Sequence, residues 1–321
     1  WKLAPALAFG NSAVLKPAEQ TPLTALRLGQ LCLEAGIPEG VVNVVTGYGE
    51  EAGHALAAHP DVDKLAFTGS TEVGRKILHA SEGNLKRVTL ELGGKSPNIV
   101  FADANLKRAA KGSMLGVFVN SGQVCTAGTR ILVEKSIHDD FVGSLKEATA
   151  TMKVGPAFEE DSVMGPVVSQ EQFDKVSGYI DAGRSEGAEL VAGGGRPAGL
   201  NGGYFLEPTI FAGVHNDMKI AREEIFGPVA TVIEVADVDE AIAMANDTVY
   251  GLASAVWTQD VAKAHKVARG IKAGTVWVNT YGLFDPSASF GGYKQSGFGR
   301  ELGTHSIETY TQTKTVWVSL K

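Results

Sequence analysis

Cys125 stands in Asn120-Ser121-Gly122-Gln123-Val124-Cys125-Thr126-Ala127-Gly128, a polar, glycine-flanked stretch that follows a helical pattern. A thiol attacks only as thiolate, and backbone N–H donors near a helix start favour that form. The same residue also reads as a small buried hydrophobe. Cys32, inside Leu31-Cys32-Leu33 of an apolar helical stretch, takes that second reading. Glu91 lies in Thr89-Leu90-Glu91-Leu92-Gly93-Gly94-Lys95-Ser96-Pro97, between two leucines at the end of a strand-like run. A carboxylate placed there is desolvated, paired or functional. Burial raises its pKa toward neutrality, which suits a general base. A salt bridge to Lys95 is the structural alternative.

Three further segments carry polar groups where strands end. Thr68-Gly69-Ser70-Thr71-Glu72-Val73-Gly74 spans a strand-to-helix junction. Its glycines permit close approach of a pyrophosphate, and helix N–H groups with Ser70 supply donors. Its spacing is Gly-x4-Gly, unlike the usual dinucleotide fingerprint, and Ser70 reads equally as a simple helix cap. In Lys16-Pro17-Ala18-Glu19, an acidic group at a strand end suits the hydroxyls of an adenine ribose, favouring NAD over its 2′-phosphorylated form. Taken alone, Lys16 and Glu19 are ordinary loop charges. Glu223-Glu224-Ile225-Phe226-Gly227-Pro228 puts two acids and an aromatic before a Gly-Pro turn. The seven histidines show no pair at ligand spacing, so no metal is expected. No Gly-x-Ser-x-Gly elbow occurs.

The elements that must position these residues alternate along the chain. Thr21 is placed as N-cap and Pro22 as first residue of a helix closed by Gly36. Strands are expected at 13–15, 41–45, 64–67 and 88–92, with helices between, including one over 50–58. This βαβαβ order marks a doubly wound parallel sheet. After Gly93-Gly94 the α/β pattern restarts, with helices near 106–119, 139–152 and 170–186. Further strands are expected near 98–101, 131–133, 190–192, 205–211, 229–235, 252–257 and 275–278. Thr313–Leu320 alternates as a final strand, either an edge or an oligomerisation arm. Composition agrees with a globular α/β protein: 44% hydrophobic, 20% charged, and 39 glycines in 321 residues. A net charge of −7 argues against nucleic-acid or anionic-membrane partners. Two cysteines cannot make a disulfide framework, which points to a reducing, cytoplasmic setting.

Together these segments resemble the NAD(P)-dependent aldehyde dehydrogenase superfamily, in its hydrolytic, acid-forming branch, from Trp1 to Lys321. Leu90–Pro97 is similar to the family's glutamate signature, and Gly122-Gln123-Val124-Cys125 to its cysteine signature, 34 positions on. Glu223–Pro228, Phe290-Gly291-Gly292-Tyr293-Lys294-Gln295-Ser296-Gly297 and Gly299-Arg300-Glu301 match further blocks in order. The resemblance implies a Rossmann-type cofactor domain over 1–93, incomplete here, a catalytic α/β domain over 94–308 and an oligomerisation strand over 309–321. It implies that Cys125 forms a thiohemiacetal and then a thioester, and that Glu91 activates the hydrolytic water. It assigns Lys16 and Glu19 to the adenosine ribose and Gly69, Ser70 and Gly74 to the pyrophosphate. Leu92 joins the cofactor contacts, Glu224 takes the nicotinamide ribose, and Phe226 packs near the ring.

The family's substrate tunnel falls here on Trp1, Val119, Val124, Thr126, Phe284 and Phe290. None is cationic, so a hydrophobic aldehyde is expected rather than a dicarboxylic semialdehyde. NAD is the expected cofactor, with NADP less favoured, and a homodimer or homotetramer the expected assembly. The opening Trp-Lys-Leu-Ala-Pro reads as the tail of a helix, so a longer protein is expected. The segment that family members carry before this point holds an oxyanion-hole Asn. Two alternatives stand beside the enzyme: a catalytically silent fragment that keeps the fold, and a cofactor-independent thiol esterase using Cys125.

Overall fold

The computed structural model describes residues 1–200 and 202–321, and every element named here belongs to those residues. The chain divides into two compact units. One comprises Trp1–Glu91, Phe284–Gly291 and Phe298–Lys321; the other comprises Leu92–Leu283 and Gly292–Gly297.

The first unit opens on helix α1 (Leu3–Ala8), followed by β1 (Ala13–Leu15), α2 (Leu23–Glu34) and β2 (Val42–Val44). Helix α3 (His54–Ala58), β3 (Lys64–Thr68), α4 (Thr71–Ala80) and β4 (Arg87–Glu91) complete the alternation. β1 pairs with β2, and β3 with β4, both in parallel, with Thr68 opposite Glu91. The N-cap of α2 is Pro22, not Thr21, and no side chain caps that end. The helix thus starts one residue later than expected, at Leu23, with Pro22 already in helical φ/ψ just before it. Gly36, at φ +87°, ends the helix as expected. The helix expected over 50–58 begins instead with one wide i→i+5 turn, Gly49–Gly53, because Gly53 N–H reaches Tyr48 C=O. α2 buries none of its residues. Its Leu23, Leu28, Leu31 and Leu33 face solvent.

The second unit is built on a seven-stranded sheet. Its strands are β5 (Pro97–Val100), β6 (Arg130–Glu134), β7 (Glu189–Ala192), β8 (Thr209–Ala212), β9 (Val229–Val235), β10 (Ala253–Trp257) and β11 (Thr275–Val278). Their order is β11-β10-β5-β6-β9-β8-β7, parallel throughout except for the antiparallel β7–β8 pair. Strand residues alternate between two buried layers. Ile99, Leu132, Val229, Ile233 and Val256 fill one, whereas Val100, Ile131, Val133, Val232 and Trp257 fill the other. Helices α5 (Leu106–Phe118) and α6 (His138–Ala150) cover the second layer through Met114, Phe118, Phe141 and Leu145. α7 (Gln170–Ser185) contributes Val176 and Ile180 to the first. Both faces are therefore covered, as a parallel sheet requires. The strand expected over 205–211 is shortened to β8, since Pro208 has no N–H to donate to a ladder.

The tail departs from expectation. Residues 311–321 form neither helix nor strand, and Trp317 and Leu320 are 92% and 96% exposed. The alternating pattern is present, but a strand exists only where another strand's backbone groups receive it.

Candidate active site

In the first unit, the ladder between β3 and β4 brings Glu91 beside the Gly69 turn. Gly69 N–H donates to Glu91 C=O at 3.1 Å. Ser70 Oγ accepts from Val73 N–H at 3.2 Å, so Ser70 caps α4 as the plainer reading of that residue had it. Gly74 lies buried one turn into the helix.

The Glu91 side chain is 5% exposed, and its Oε2 has no hydrogen-bond partner among the described residues. Burial, reinforced by the nearby Glu301 carboxylate and opposed by Lys2 and Arg300, pushes its pKa up to about 8. Lys2 Nζ is engaged by Glu301 Oε1 and by Thr68 Oγ1, the latter at 2.7 Å. Gly291 explains part of the glycine-rich block near the C-terminus. A Cβ there would stand 2.9 Å from Glu91 Oε1 and 2.7 Å from Gly299 C=O.

Two other groups of expected residues lie in this unit. Lys16 Nζ contacts Glu19 Oε1 at 3.1 Å and donates to Pro17 and Gly47 carbonyls. Gly49 N–H donates to the same Glu19 oxygen at 2.7 Å. The Glu19 carboxyl is held below its usual range by its own backbone N–H, then by Lys16 and Gly49, with burial opposing them. Trp1, Phe284 and Phe290 form a three-ring cluster with edge-on contacts and centroids 5.1–5.5 Å apart.

In the second unit, Cys125 sits on a loop shaped against backbone preference. Asn120 and Ser121 have φ of +53° and +57°, followed by Gly122 at +69°. Non-glycine residues pay for that region, so side chains must hold them there. Ser121 Oγ donates to Gly165 C=O at 2.8 Å, and Gln123 Oε1 accepts from Val168 N–H at 3.0 Å. Tyr281 Oη donates to Thr126 C=O at 2.6 Å, and burial keeps that phenol protonated. Val119 is exposed, Val124 and Cys125 are half-buried, and Thr126 is buried. Sequence reasoning singled out neither Ser121 nor Tyr281 for a role. Each acts through hydrogen bonds to residues far along the chain, which leave no local pattern.

Gly93 and Gly94 tie this loop to Glu224. Glu224 Oε1 accepts from Gly94 N–H at 3.0 Å. A Cβ on Gly93 would lie 2.2 Å from Glu224 Oε2, and one on Gly94 would lie 2.3 Å from Cys125 C=O. The glycine pair is thus the space through which a carboxylate and the cysteine backbone approach the same stretch, and Leu92, just before it, is buried. Burial raises the Glu224 pKa, while Gly94 N–H, Lys175 and Lys95 oppose it. Lys95 Nζ has no hydrogen-bond partner among the described residues, so the salt bridge weighed for it against Glu91 has no support. Full burial, and then the charge of Arg130, lower the Lys95 pKa to about 7.

Among the described residues, no group of three or more His, Cys, Asp or Glu could hold a metal ion. No described helix is long and apolar enough to cross a membrane.

Residues 1–316 match the sequence model of the Aldehyde dehydrogenase family. The chain is 51% identical, over its whole length, to the putative aldehyde dehydrogenase DhaS of Bacillus subtilis, covering 64% of that relative. It is 55% identical over 317 residues to an aldehyde dehydrogenase of Emericella nidulans, covering 63% of it. Among solved structures, it aligns over its full length with an indole-3-acetaldehyde dehydrogenase in complex with NAD+, at TM-score 0.98 and 52% identity, covering 65% of that chain. The aldehyde dehydrogenase KauB from Pseudomonas aeruginosa gives the same TM-score at 54% identity, with 65% of that chain covered. The chain therefore spans about 64% of the length of the relatives it matches.

Proposed function

Because the chain belongs to the aldehyde dehydrogenase family, we propose that it takes part in oxidising an aldehyde to its carboxylic acid with NAD as hydride acceptor. The observation that carries the reading is Glu91. It is a buried carboxyl with one unpartnered oxygen, and its pKa is raised to about 8. That is the form of a general base able to take a proton from water near neutral pH.

In the proposed reaction, Cys125 Sγ attacks the aldehyde carbon and forms a thiohemiacetal. NAD, when bound, supplies the hydride acceptor for that carbon. The carbon is left as a thioester to Cys125. Glu91 then deprotonates a water that attacks the thioester, releasing the acid and restoring the thiol. At the start the same base would take the Cys125 thiol proton and pass it to solvent, so that it is ionised again before deacylation.

The donor set suits a dinucleotide. Glu224, fixed on Gly94 N–H, offers its remaining oxygen to ribose hydroxyls, with Phe226 beside it. Lys16 and Glu19 would hold the adenosine ribose, and Gly69, Ser70 and Gly74 would lie near the pyrophosphate at the start of α4. Leu92 completes the cofactor contacts. The negative Glu19 disfavours a 2′-phosphate, so NAD is preferred to NADP.

The ring cluster Trp1, Phe284 and Phe290, with Val119, Val124 and Thr126 on the cysteine loop, supports a hydrophobic aldehyde. A solved relative acting by its name on indole-3-acetaldehyde fits that class. Self-association through 309–321 and a cytoplasmic location complete the proposal.

Stopped-flow kinetics on Glu91→Gln and Cys125→Ala test it. Glu91→Gln gives a burst of NADH followed by stalling, because hydride transfer survives and deacylation does not. In the unaltered protein, steady-state turnover rises about tenfold per pH unit below the Glu91 pKa and levels above it, a profile Glu91→Gln flattens. Cys125→Ala binds NAD and turns nothing over. Unchanged turnover in either variant refutes the assigned role.

A further inference from the structure

Cys125 occupies one corner of a four-residue turn. Ala127 N–H donates to Val124 C=O at 2.9 Å, which closes Val124-Cys125-Thr126-Ala127 with Cys125 and Thr126 at the two corners. The Thr126–Ala127 peptide shuts that turn, and it is held at both ends. Its N–H makes the bond to Val124, and its C=O accepts from Tyr281 Oη at 2.6 Å. Tyr281 reaches the turn because its own backbone is fixed. Asn279, two residues earlier, stands at φ +54°. Its side chain accepts from Thr258 N–H at 3.0 Å and donates to Thr258 C=O at 2.8 Å. That clamp holds the strained residue at the end of β11 and sets where the chain goes next. The Tyr281 ring then fills a notch made by two glycines. A Cβ on Gly116 of α5 would lie 2.8 Å from the ring's Cγ, and one on Gly128 would lie 2.7 Å from Cε2 and 2.8 Å from Oη. Gly128 N–H donates to Gly116 C=O at 3.0 Å, so the notch ties the helix before the cysteine loop to the residues after it. Trp277 packs on the ring at a centroid distance of 4.8 Å.

We infer that Tyr281 is a positioning residue for Cys125, its hydroxyl fixing the peptide that closes the turn on which the thiol stands. The inference rests on the reading of Cys125 as the nucleophile. Rotation of the Thr126–Ala127 peptide would break its bond to Val124 and open the corner that aims Sγ. The notch leaves the ring no room to shift toward either glycine, so Oη stays at one point. It also stays a donor. Burial holds its pKa above the ordinary phenol range, with Ser96 opposing and Cys125 adding to the effect. A phenylalanine keeps the ring in the notch and leaves Thr126 C=O without its donor, which separates this role from packing.

The test is Tyr281→Phe in the native protein, with three readings. These are the pre-steady-state NADH burst at saturating NAD and aldehyde, the pH midpoint of Cys125 alkylation by iodoacetamide, and the NAD Kd by titration calorimetry. The burst is expected to slow about tenfold, since displacement of a reacting atom costs rate steeply. The alkylation midpoint and the NAD Kd should not move, because a small reagent needs no aim and the cofactor residues are untouched. A parent burst rate in Tyr281→Phe overturns the inference. So does a shifted midpoint, which would make the hydroxyl an electrostatic partner of the thiolate, and so does a raised NAD Kd. Should Tyr281→Phe fail to fold, Gly116→Ala displaces the ring from the helix side and leaves the phenol and the loop sequence intact. A burst slowed at unchanged midpoint then supports the inference, and an unchanged burst or a shifted midpoint overturns it. A burst that survives in Cys125→Ala overturns the reading of Cys125 itself, and the inference falls with it.

Discussion

Gly94→Ala adds one methyl group where the chain has no room for it. The new Cβ falls 2.3 Å from Cys125 C=O, 3.5 Å from the carbon of that carbonyl and 3.4 Å from Leu252 Cβ. A comfortable contact needs about 3.3 Å or more, so the Cys125 carbonyl must retreat by roughly 1 Å. It cannot swing away alone. Thr126 C=O is fixed by Tyr281 Oη at 2.6 Å, and Ala127 N–H bonds back to Val124 C=O at 2.9 Å. The loop therefore shifts as a unit and carries Sγ with it. Overpacking of this kind costs about 1–3 kcal/mol of stability. A misplacement of about 1 Å at a reacting atom costs about 100-fold in rate. The pre-steady-state NADH burst of Gly94→Ala is expected to slow about 100-fold, with the NAD Kd within about threefold of the parent. Gly93→Ala gives the inverse pattern. Its Cβ meets the mobile end of Glu224, at 2.2 Å from Oε2, so the carboxylate leaves Gly94 N–H while the cysteine loop stays in place. NAD affinity falls and the burst at saturating cofactor persists. A Gly94→Ala protein with the parent burst rate refutes the claim that this glycine sets the position of Cys125.

Asp103 Oδ2 accepts from Thr258 Oγ1 and from the N–H groups of Gln259 and Asp260 at the start of a helix, and its Oδ1 receives Lys263 Nζ. Burial alone raises its pKa, but these partners outweigh it and hold the carboxyl at about 2, below its ordinary 3.8. Its stabilisation is therefore complete above pH 4 and lost as pH falls toward 2, and Asp103→Ala should cost about 1–2 kcal/mol at pH 7 by urea unfolding. Glu19→Gln should shrink an expected ~10-fold preference for NAD over NADP, measured as the ratio of kcat/KM values; an unchanged ratio means Lys16 and not Glu19 decides the choice. A protein confined to Trp1–Lys321 exposes Leu23, Leu31 and Leu33 on α2 together with Val316, Trp317 and Leu320 in the tail. It should self-associate irregularly in light-scattering chromatography, and a monodisperse monomer refutes that.

What the sequence disclosed follows from the range of the forces involved. Alternating apolar runs and helix stop signals are local, so the order of strands and helices was legible. Boundaries shifted where a single residue's chemistry decided them, at Pro22, at Pro208 and in the wide turn at Gly49–Gly53. The tail shows the limit from the other side. Its alternation of Val316, Val318 and Leu320 states a preference, but a strand needs a partner, and residues 311–321 meet none within the described chain. Glu91 stood out because a carboxylate between leucines is anomalous wherever it falls. Lys2 and Glu301, which share its surroundings, carry no such local anomaly, and only the fold places them there.

The candidate site adds a further reason why part of it stayed hidden. In the second unit, the unusual backbone of the two loops that carry Cys125 and Glu224 gathers at Asn120, Ser121 and Phe226. Ser and Phe rarely take a positive φ and Asn does so far less often than Gly, so sequence reads such positions as ordinary. The groups that hold them, among them Ser121 on Gly165 and Gln172 on Phe226, span 44 and 54 positions. Each therefore depends on a sheet and a helix already being in place. The sheet beneath follows from composition and periodicity, whereas the loops take strained shapes only because that sheet fixes their ends. The glycines at 93 and 94 join the two levels. In sequence they mark the end of a strand; in the folded chain they are the gap in which the cysteine backbone and the Glu224 carboxylate meet the same two residues of main chain.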